Sequence, residues 1–246
     1  MYLFKRHYLP IEAHLRHSFV LAYSVHESAL KSLVSPGLEL DTFKGHGFLV
    51  VAMVQTEGLR VRGAPSWIGL NFFLAGYRLF VRYMNPERRR LRGLQVLASE
   101  TDSLALCVGG NLLTHYKYQR VNPDVTVTQT HVRVKLARGG QIGLDFEGDL
   151  SQSELPEESI FSTAKEARAF AGPMPFTFDF EPQTRSIISV QGVRSGWTPK
   201  LFKAKVVTPP DFSKFGVELQ ECRLASAFHL SDVPYSWNRG KVEKLP

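Results

Sequence analysis

Arginine placed on one face of an alternating segment is the first chemistry the chain offers. In the run Leu74 to Tyr83, Gly76, Arg78, Phe80 and Arg82 share one face, and Ala75, Tyr77, Leu79, Val81 and Tyr83 share the other. If the first face lines a cavity, Arg78 is an anion receptor, because Gly76 leaves room for the guanidinium and Phe80 excludes water. The alternative is that Arg78 and Arg82 lie on a solvated outer surface. Further along, Arg88-Arg89-Arg90 follows the turn Asn85-Pro86 and reads as surface, whereas Arg92, followed by Gly93 and the apolar LQVLA, is a candidate inward residue that would bind the same anion.

Proton-moving groups come next. His115 lies in GGNLLTHYKYQ, where its ordinary pKa would let it shuttle a proton near neutral pH. Its alternative is a hydrogen-bonded structural role. Tyr116 occupies the opposite face with Thr114 and Tyr118. Gly109-Gly110 reads as a β-bulge that re-aims neighbouring side chains, which makes Asn111 a polar lining residue. Glu57 is the carboxylate proposed to act as acid or base, while Glu100 reads better as a salt-bridge partner. Arg194, Trp197 and the segment Val233 to Trp237 read as loop residues closing over a ligand, or as rings that cap the ends of the fold.

The basic charge is local, and composition by itself names neither an anion nor the presence of one. The chain carries 30 Lys plus Arg against 23 Asp plus Glu, a net charge of +7. All of that excess falls between Arg60 and Arg92, where eight arginines meet only Glu87; the rest of the chain balances. Arginine binds carboxylate and phosphate bidentately, which lysine cannot do. No Gly-rich phosphate loop, GxSxG elbow, HExxH or acidic metal cluster is present, so nucleotide-dependent, serine-hydrolase and zincin chemistry have no support, and no cofactor or metal is expected. Cys107 and Cys222 lie far apart and read as reduced thiols. No apolar run is long enough to span a bilayer, the first residues resemble neither a secretory signal nor an anchor, and a cytoplasmic location is the expectation.

The elements that must position these residues are mainly strands. Phe48–Val54, Asn71–Tyr83, Leu104–Tyr118, Val125–Leu136, Ile187–Val193 and Val217–Leu230 are β-branched and aromatic with period-two stretches. Arg138-Gly139-Gly140 predicts a hairpin turn and Asn122-Pro123-Asp124 another turn. Short helices are predicted over Glu27–Val34 and Thr163–Ala171, the second opened by Thr163 and Glu166 in capping-box spacing. With no repeat and no long linker, residues 1–246 read as one mainly β domain with a few short helices.

Several phrases, SVHESALKSLVSPGLELDTFKGHGFLVVAMV, GYRLFVRY, RRRLRGLQVLASETD, VRSGWTPKLF and VPYSW, resemble in order and spacing the YqjF-like family of the acetoacetate decarboxylase-like superfamily, over roughly residues 15 to 237. The resemblance implies a closed or nearly closed β-barrel around a cavity for a small, often carboxylate-bearing molecule. In the decarboxylase branch a strand supplies a Schiff-base lysine beside a second lysine; the corresponding positions here are Val96 and Leu97. Neither has a lone pair with which to form an imine, so any reaction here must do without one at that position. Lys117, the only lysine between Arg60 and Arg120, has no neighbour that would make it nucleophilic.

The expectation is therefore a barrel that binds, and in one reading transforms by a lyase- or hydrolase-like step, a small anionic organic molecule. Arg78, Arg92, Asn111, Tyr116, Arg194 and Trp197 would bind it, and Glu57 and His115 would move protons. A non-catalytic receptor with the same cavity is the alternative. A nucleic-acid binder using the arginine segment ranks third, no membrane partner is expected, and a homo-oligomer is compatible with each reading.

Overall fold

The computed structural model describes residues 2–171, 174–196 and 198–245. Its strands are β1 (Ile11–His26), β2 (Leu38–Leu40), β3 (His46–Val61), β4 (Leu70–Met84), β5 (Arg90–Thr101), β6 (Tyr118–Arg120), β7 (Asn122–Val127), β8 (His131–Arg138), β9 (Gln141–Asp149), β10 (Phe176–Glu181), β11 (Ser186–Arg194), β12 (Lys200–Leu201), β13 (Lys203–Thr208), β14 (Arg223–Trp237) and β15 (Lys241–Lys244). The helices are α1 (Glu27–Leu30), α2 (Asn111–Leu113) and α3 (Ala164–Ala171). The expected mainly β class, with few and short helices, is what the chain adopts.

Neighbouring strands run β14-β1-β3-β4-β5-β10-β11, and β11 pairs with β14, so these strands form a hydrogen-bonded ring. All of its pairings are antiparallel except β5 with β10. A second sheet, β13-β9-β8-β7, packs on the outside of that ring. This arrangement explains how β4 can have two unlike faces and expose neither. Ala75, Tyr77, Leu79 and Val81 pack with Val134, Leu136 and Phe146 of the second sheet, and the Arg78 face turns into the ring. Each fully buried Val, Leu or Phe in the intersheet core stabilises the fold by about 1.5–3 kcal/mol. A separate cluster of Phe48, Phe80, Phe161, Ala167 and Phe228 gathers around α3.

Local signals in the sequence translate directly at several places. The Gly139-Gly140 turn joins β8 to β9 with both residues at positive φ, 55° and 84°. Thr163 caps α3 by accepting from the Glu166 N–H at 3.1 Å. Elsewhere the expectation needs correcting. Asn122-Pro123-Asp124 lies in β7, where an edge position lets proline enter a strand without breaking a ladder on both sides. Leu104–Tyr118 is not a strand: a helical segment runs from Leu104 to Leu113 and has a π-helical turn over Leu106–Gly110. Gly109-Gly110 therefore belongs to a widened helical turn and not to a β-bulge, and the strand parity assigned to His115, Tyr116 and Lys117 does not apply.

Candidate functional site

The inside of the ring is not filled. A cavity of about 220 Å³ remains, walled by Val50, Ala52 and Val54 from β3, Phe72, Leu74 and Phe80 from β4, and Leu94 and Val96 from β5. One irregularity sets the lining of β5. Tyr77 pairs with Ala98 but Arg78 with Val96, so Leu97 is an extra residue in the register. Val96 and Ser99 both face the cavity as a result, and Leu97 turns into the intersheet core.

Arg78 is the charged centre of this wall. No carboxylate of the described residues pairs with it, and its Nε is buried without a hydrogen-bond partner. Burial draws its pKa below the ordinary guanidinium value, opposed by the phenols of Tyr235, Tyr116 and Tyr118. The guanidinium lies over Gly76, where a Cβ would come within 2.8 Å of Nε. Tyr118 and Tyr235 are seated on glycines in the same way: a Cβ on Gly110 would meet the Tyr118 ring at 2.6 Å, and one on Gly192 would meet the Tyr235 hydroxyl at 2.1 Å. Burial raises the phenol of Tyr118 to about 12 and that of Tyr116 well above the usual value, so both stay protonated and can donate hydrogen bonds.

The closure of the ring brings in the second arginine. Arg194 on β11 pairs across to Tyr235 on β14, and its Nη1 donates to the Tyr235 hydroxyl at 3.3 Å. Tyr235 and Trp237 stand with ring centroids 4.4 Å apart, and both line the cavity. Val233–Trp237 is thus the end of a strand, where a closing loop had been expected.

His7 completes the polar end. Its imidazole lines the cavity and lies 5.1 Å from the Tyr116 ring, centroid to centroid. The segment that carries it is tied down on both sides. Arg6 donates to the fully buried Glu181 at 2.5 and 3.0 Å, and the His7 carbonyl accepts from Gly240 N–H at 2.8 Å. Burial lowers the His7 pKa below the usual imidazole value, Asp179 opposes the shift and His115 adds to it. Sequence reasoning missed His7 and Tyr118, and named Tyr235 only as part of the segment Val233 to Trp237. Gly110 and Gly192 were the available signal for the two tyrosines, since each leaves space for one of their rings.

The structure brings Arg78, Tyr116 and Arg194 to the cavity and leaves other expected residues elsewhere. Glu57 is on the outer face of β3, half exposed and 3.8 Å from Arg16, because it is Thr56 that turns inward. Arg92 is an ion-pair residue: with Arg82 it holds the fully buried Asp41, and it donates to the Phe170 carbonyl at 2.8 Å. Asn111 does not line the cavity; it clips the backbone of Tyr118, donating to its carbonyl at 2.9 Å and accepting from its N–H at 2.8 Å. His115 stands behind the wall, with Nδ1 3.4 Å from Asp179 Oδ2. Trp197 lies outside the described residues. Glu100, in the intersheet core, accepts from Tyr77 and Arg138 and pairs with Lys214. No lysine is among the described lining residues, and Lys117 is exposed.

The fold is shared with known structures. Acetoacetate decarboxylase from Legionella pneumophila superposes with a TM-score of 0.66 at 13% identity, over 96% of this chain and 87% of that one. An acetoacetate decarboxylase-like enzyme from Sphingomonas wittichii gives 0.61 at 12% identity, over 98% and 94%. The enduracididine biosynthesis enzyme MppR, in its complex with pyruvate, gives 0.59 at 12% identity, over 95% and 90%. At such identities the likeness is one of fold, and it agrees with the acetoacetate decarboxylase-like resemblance of the sequence. No curated protein sequence matches the chain. Residues 12–171, from the start of β1 to the end of α3, match DUF2071, described as an uncharacterized conserved protein, and the chain belongs to that family.

Proposed function

We propose that the chain works as one unit around this cavity and binds a small carboxylate-bearing organic molecule, with Arg78 as receptor for the carboxylate and the aliphatic and aromatic walls enclosing the remainder. The observation that carries the reading is the Arg78 guanidinium, with a buried Nε that has no hydrogen-bond partner and no carboxylate pairing with it among the described residues, facing an apolar cavity. Burying a charge costs several kcal/mol unless it is compensated, and a bound carboxylate supplies two oxygens in the geometry a guanidinium prefers. The complex of MppR with pyruvate, on the same fold, supports the choice of a small organic acid. Imine chemistry has no amine on the described wall, so binding, or a reaction that needs no Schiff base, fits the lining.

An exposed polyanion-binding stripe fits less well. Arg60 pairs with Glu12, Arg82 and Arg92 with Asp41, Arg89 with Glu87 and Arg90 with Glu39. The test is calorimetric titration with benzoate, 4-methyl-2-oxopentanoate and phenylpyruvate beside their amides and a short oligonucleotide, at 50 and 200 mM salt. Saturable binding of an acid but not its amide, lost in Arg78→Met, is expected. Binding of the oligonucleotide alone, weakened about 10³-fold or more by the higher salt, would replace this reading with the surface one.

A further inference from the structure

Resting on the reading of Arg78 as carboxylate receptor, we propose that His7 is the proton-transferring group of the cavity and that the ligand it serves is a small 2-oxo acid, enolised at the carbon next to its carbonyl. Three observations converge on His7. Its ring lines the cavity, and its Nε2 is a buried nitrogen without a hydrogen-bond partner among the described residues. Its backbone is left-handed, at φ 51°, an uncommon conformation for a residue other than glycine. Flanking contacts hold it there: the Arg6–Glu181 pair on one side and Gly240 N–H on its own carbonyl. Gly240 has to be glycine for that approach, since a Cβ would stand 2.3 Å from the Arg6 carbonyl oxygen. A strained residue held on both sides, with an unused buried nitrogen at a cavity, is spent on more than packing.

The ligand class follows from what surrounds Arg78. Tyr116, Tyr118 and Tyr235 line the same cavity as Arg78, and burial keeps the first two protonated, so a second oxygen lying next to the carboxylate would meet hydrogen-bond donors. A 2-oxo acid places its carbonyl there. In the step proposed, His7 takes a proton from C3. The C–H electron pair becomes the C2=C3 double bond, and the carbonyl π pair moves onto oxygen, which a phenol stabilises by hydrogen bonding. Return of a proton from the imidazolium to C3 restores the oxo acid, so the cycle needs no oxidant, reductant or co-reactant. Behind His7, Asp179 favours the charged imidazolium that forms, and His115 lies 3.4 Å from that carboxylate.

The experiment follows exchange of the C3 protons of 4-methyl-2-oxopentanoate in D2O by NMR, with binding measured by calorimetry on the same samples. Wild-type protein is expected to accelerate exchange over buffer. His7→Asn, in which asparagine tolerates the left-handed backbone, is expected to lower the rate about 100-fold and keep the dissociation constant within about threefold. His7→Gly, which adopts the same backbone freely, is expected to regain exchange when imidazole is added, a rescue that a structural role would not show. Exchange undiminished in both variants overturns the role of His7. Saturable binding without exchange by wild-type protein overturns the proton transfer and leaves the carboxylate receptor standing. Failure of any acid to bind removes both.

Discussion

Arg78 and Arg92 make opposite contributions to stability although both arginines contact the inside of the molecule, and the difference can be measured by replacing each with methionine. Arg92 is about one-third exposed and shares the fully buried Asp41 with Arg82. Breaking a buried ion pair costs about 3–5 kcal/mol when the surviving charge is left alone. Here Arg82 remains on Asp41, while the Arg92 contacts to the Phe170 carbonyl and ring are lost, so Arg92→Met should cost roughly 1–3 kcal/mol. In a chain of this length each kcal/mol moves the unfolding temperature by about 2–4 °C, giving a fall of several degrees. Arg78 leaves no buried partner behind. Replacing it removes a desolvated charge, so Arg78→Met should be neutral or raise the unfolding temperature by a few degrees in ligand-free protein, and it should remove the further rise that a saturating acid gives the wild type. Calorimetric melting of the three proteins, with and without acid, measures both effects. A loss of more than about 1 kcal/mol for Arg78→Met would refute the reasoning, because it would mean that the guanidinium is engaged in holding the ring together.

Other contacts make equally direct predictions. Gly192→Ala forces the Tyr235 hydroxyl away from a Cβ that would lie 2.1 Å from it, so acid binding should weaken at least tenfold with little change in melting temperature, read by titration and calorimetry. Glu181 is held below the usual carboxylate range mainly by its hydrogen bond from Arg6, against the opposing effect of burial. Its contribution to stability is therefore complete above the unfolded carboxylate value and is lost as pH falls through the lower folded one; Glu181→Gln should abolish that part of the acid sensitivity and, by freeing the His7 segment, slow C3 exchange. His229, stacked on Phe19 and 3.1 Å from His17, is lowered from 6.5 to about 4, chiefly by burial. Folding favours its neutral form, so melting temperature should drop as pH is lowered from 6.5 toward 4, and His229→Gln should reduce that drop.

How much of this was legible in the sequence depends on the kind of signal each feature sends. Strand alternation put Gly76, Arg78 and Phe80 on one face, and the hairpin at Gly139-Gly140 and the cap at Thr163 follow from local backbone chemistry. Periodicity fails where a register shift intervenes. Nothing in RRRLRGLQVLASETD announces the extra residue at Leu97 that turns both Val96 and Ser99 inward. It fails again at Leu104–Tyr118, where apolar residues at helical and strand spacings overlap and glycines widen the helical turn. Glu57 reads as a site carboxylate because it is close along the chain to the arginine-rich segment, and Arg92 as inward because Gly93 and the apolar LQVLA follow it, whereas their real partners, Arg16 and Asp41, are set by strand pairing and by the β2 segment across from β4. His7 sent no local signal, since its place depends on contacts to Glu181 and Gly240 far along the chain.

The two faces of the ring divide structure from chemistry. Stability rests largely on the outer face, where Leu79, Val81 and Phe73 meet Val134, Leu136 and Phe146 of the second sheet. The inner face is partly empty, and a residue beside empty space can change without disturbing close packing. Val96 occupies such a position, next to Arg78 in the ladder and open to the cavity, whereas its neighbour Leu97 is committed to the outer core. A side chain at position 96 can therefore be exchanged for one with different chemistry at little structural cost, while one at position 97 cannot. The same reasoning explains how one fold could hold the amine-bearing wall that the resemblance implies for the decarboxylase branch and an arginine-and-phenol wall here. It also makes Val96 the position at which a lysine could be introduced, as Val96→Lys, to ask whether this cavity supports imine formation with an oxo acid, read by borohydride trapping and mass spectrometry. Beside the desolvated Arg78 the new amine would be disfavoured in its charged form, which is the condition under which a lysine becomes nucleophilic. Trapping in Val96→Lys and none in wild-type protein is the expected result, and no trapping in either would mean that Val96 does not face the bound carbonyl.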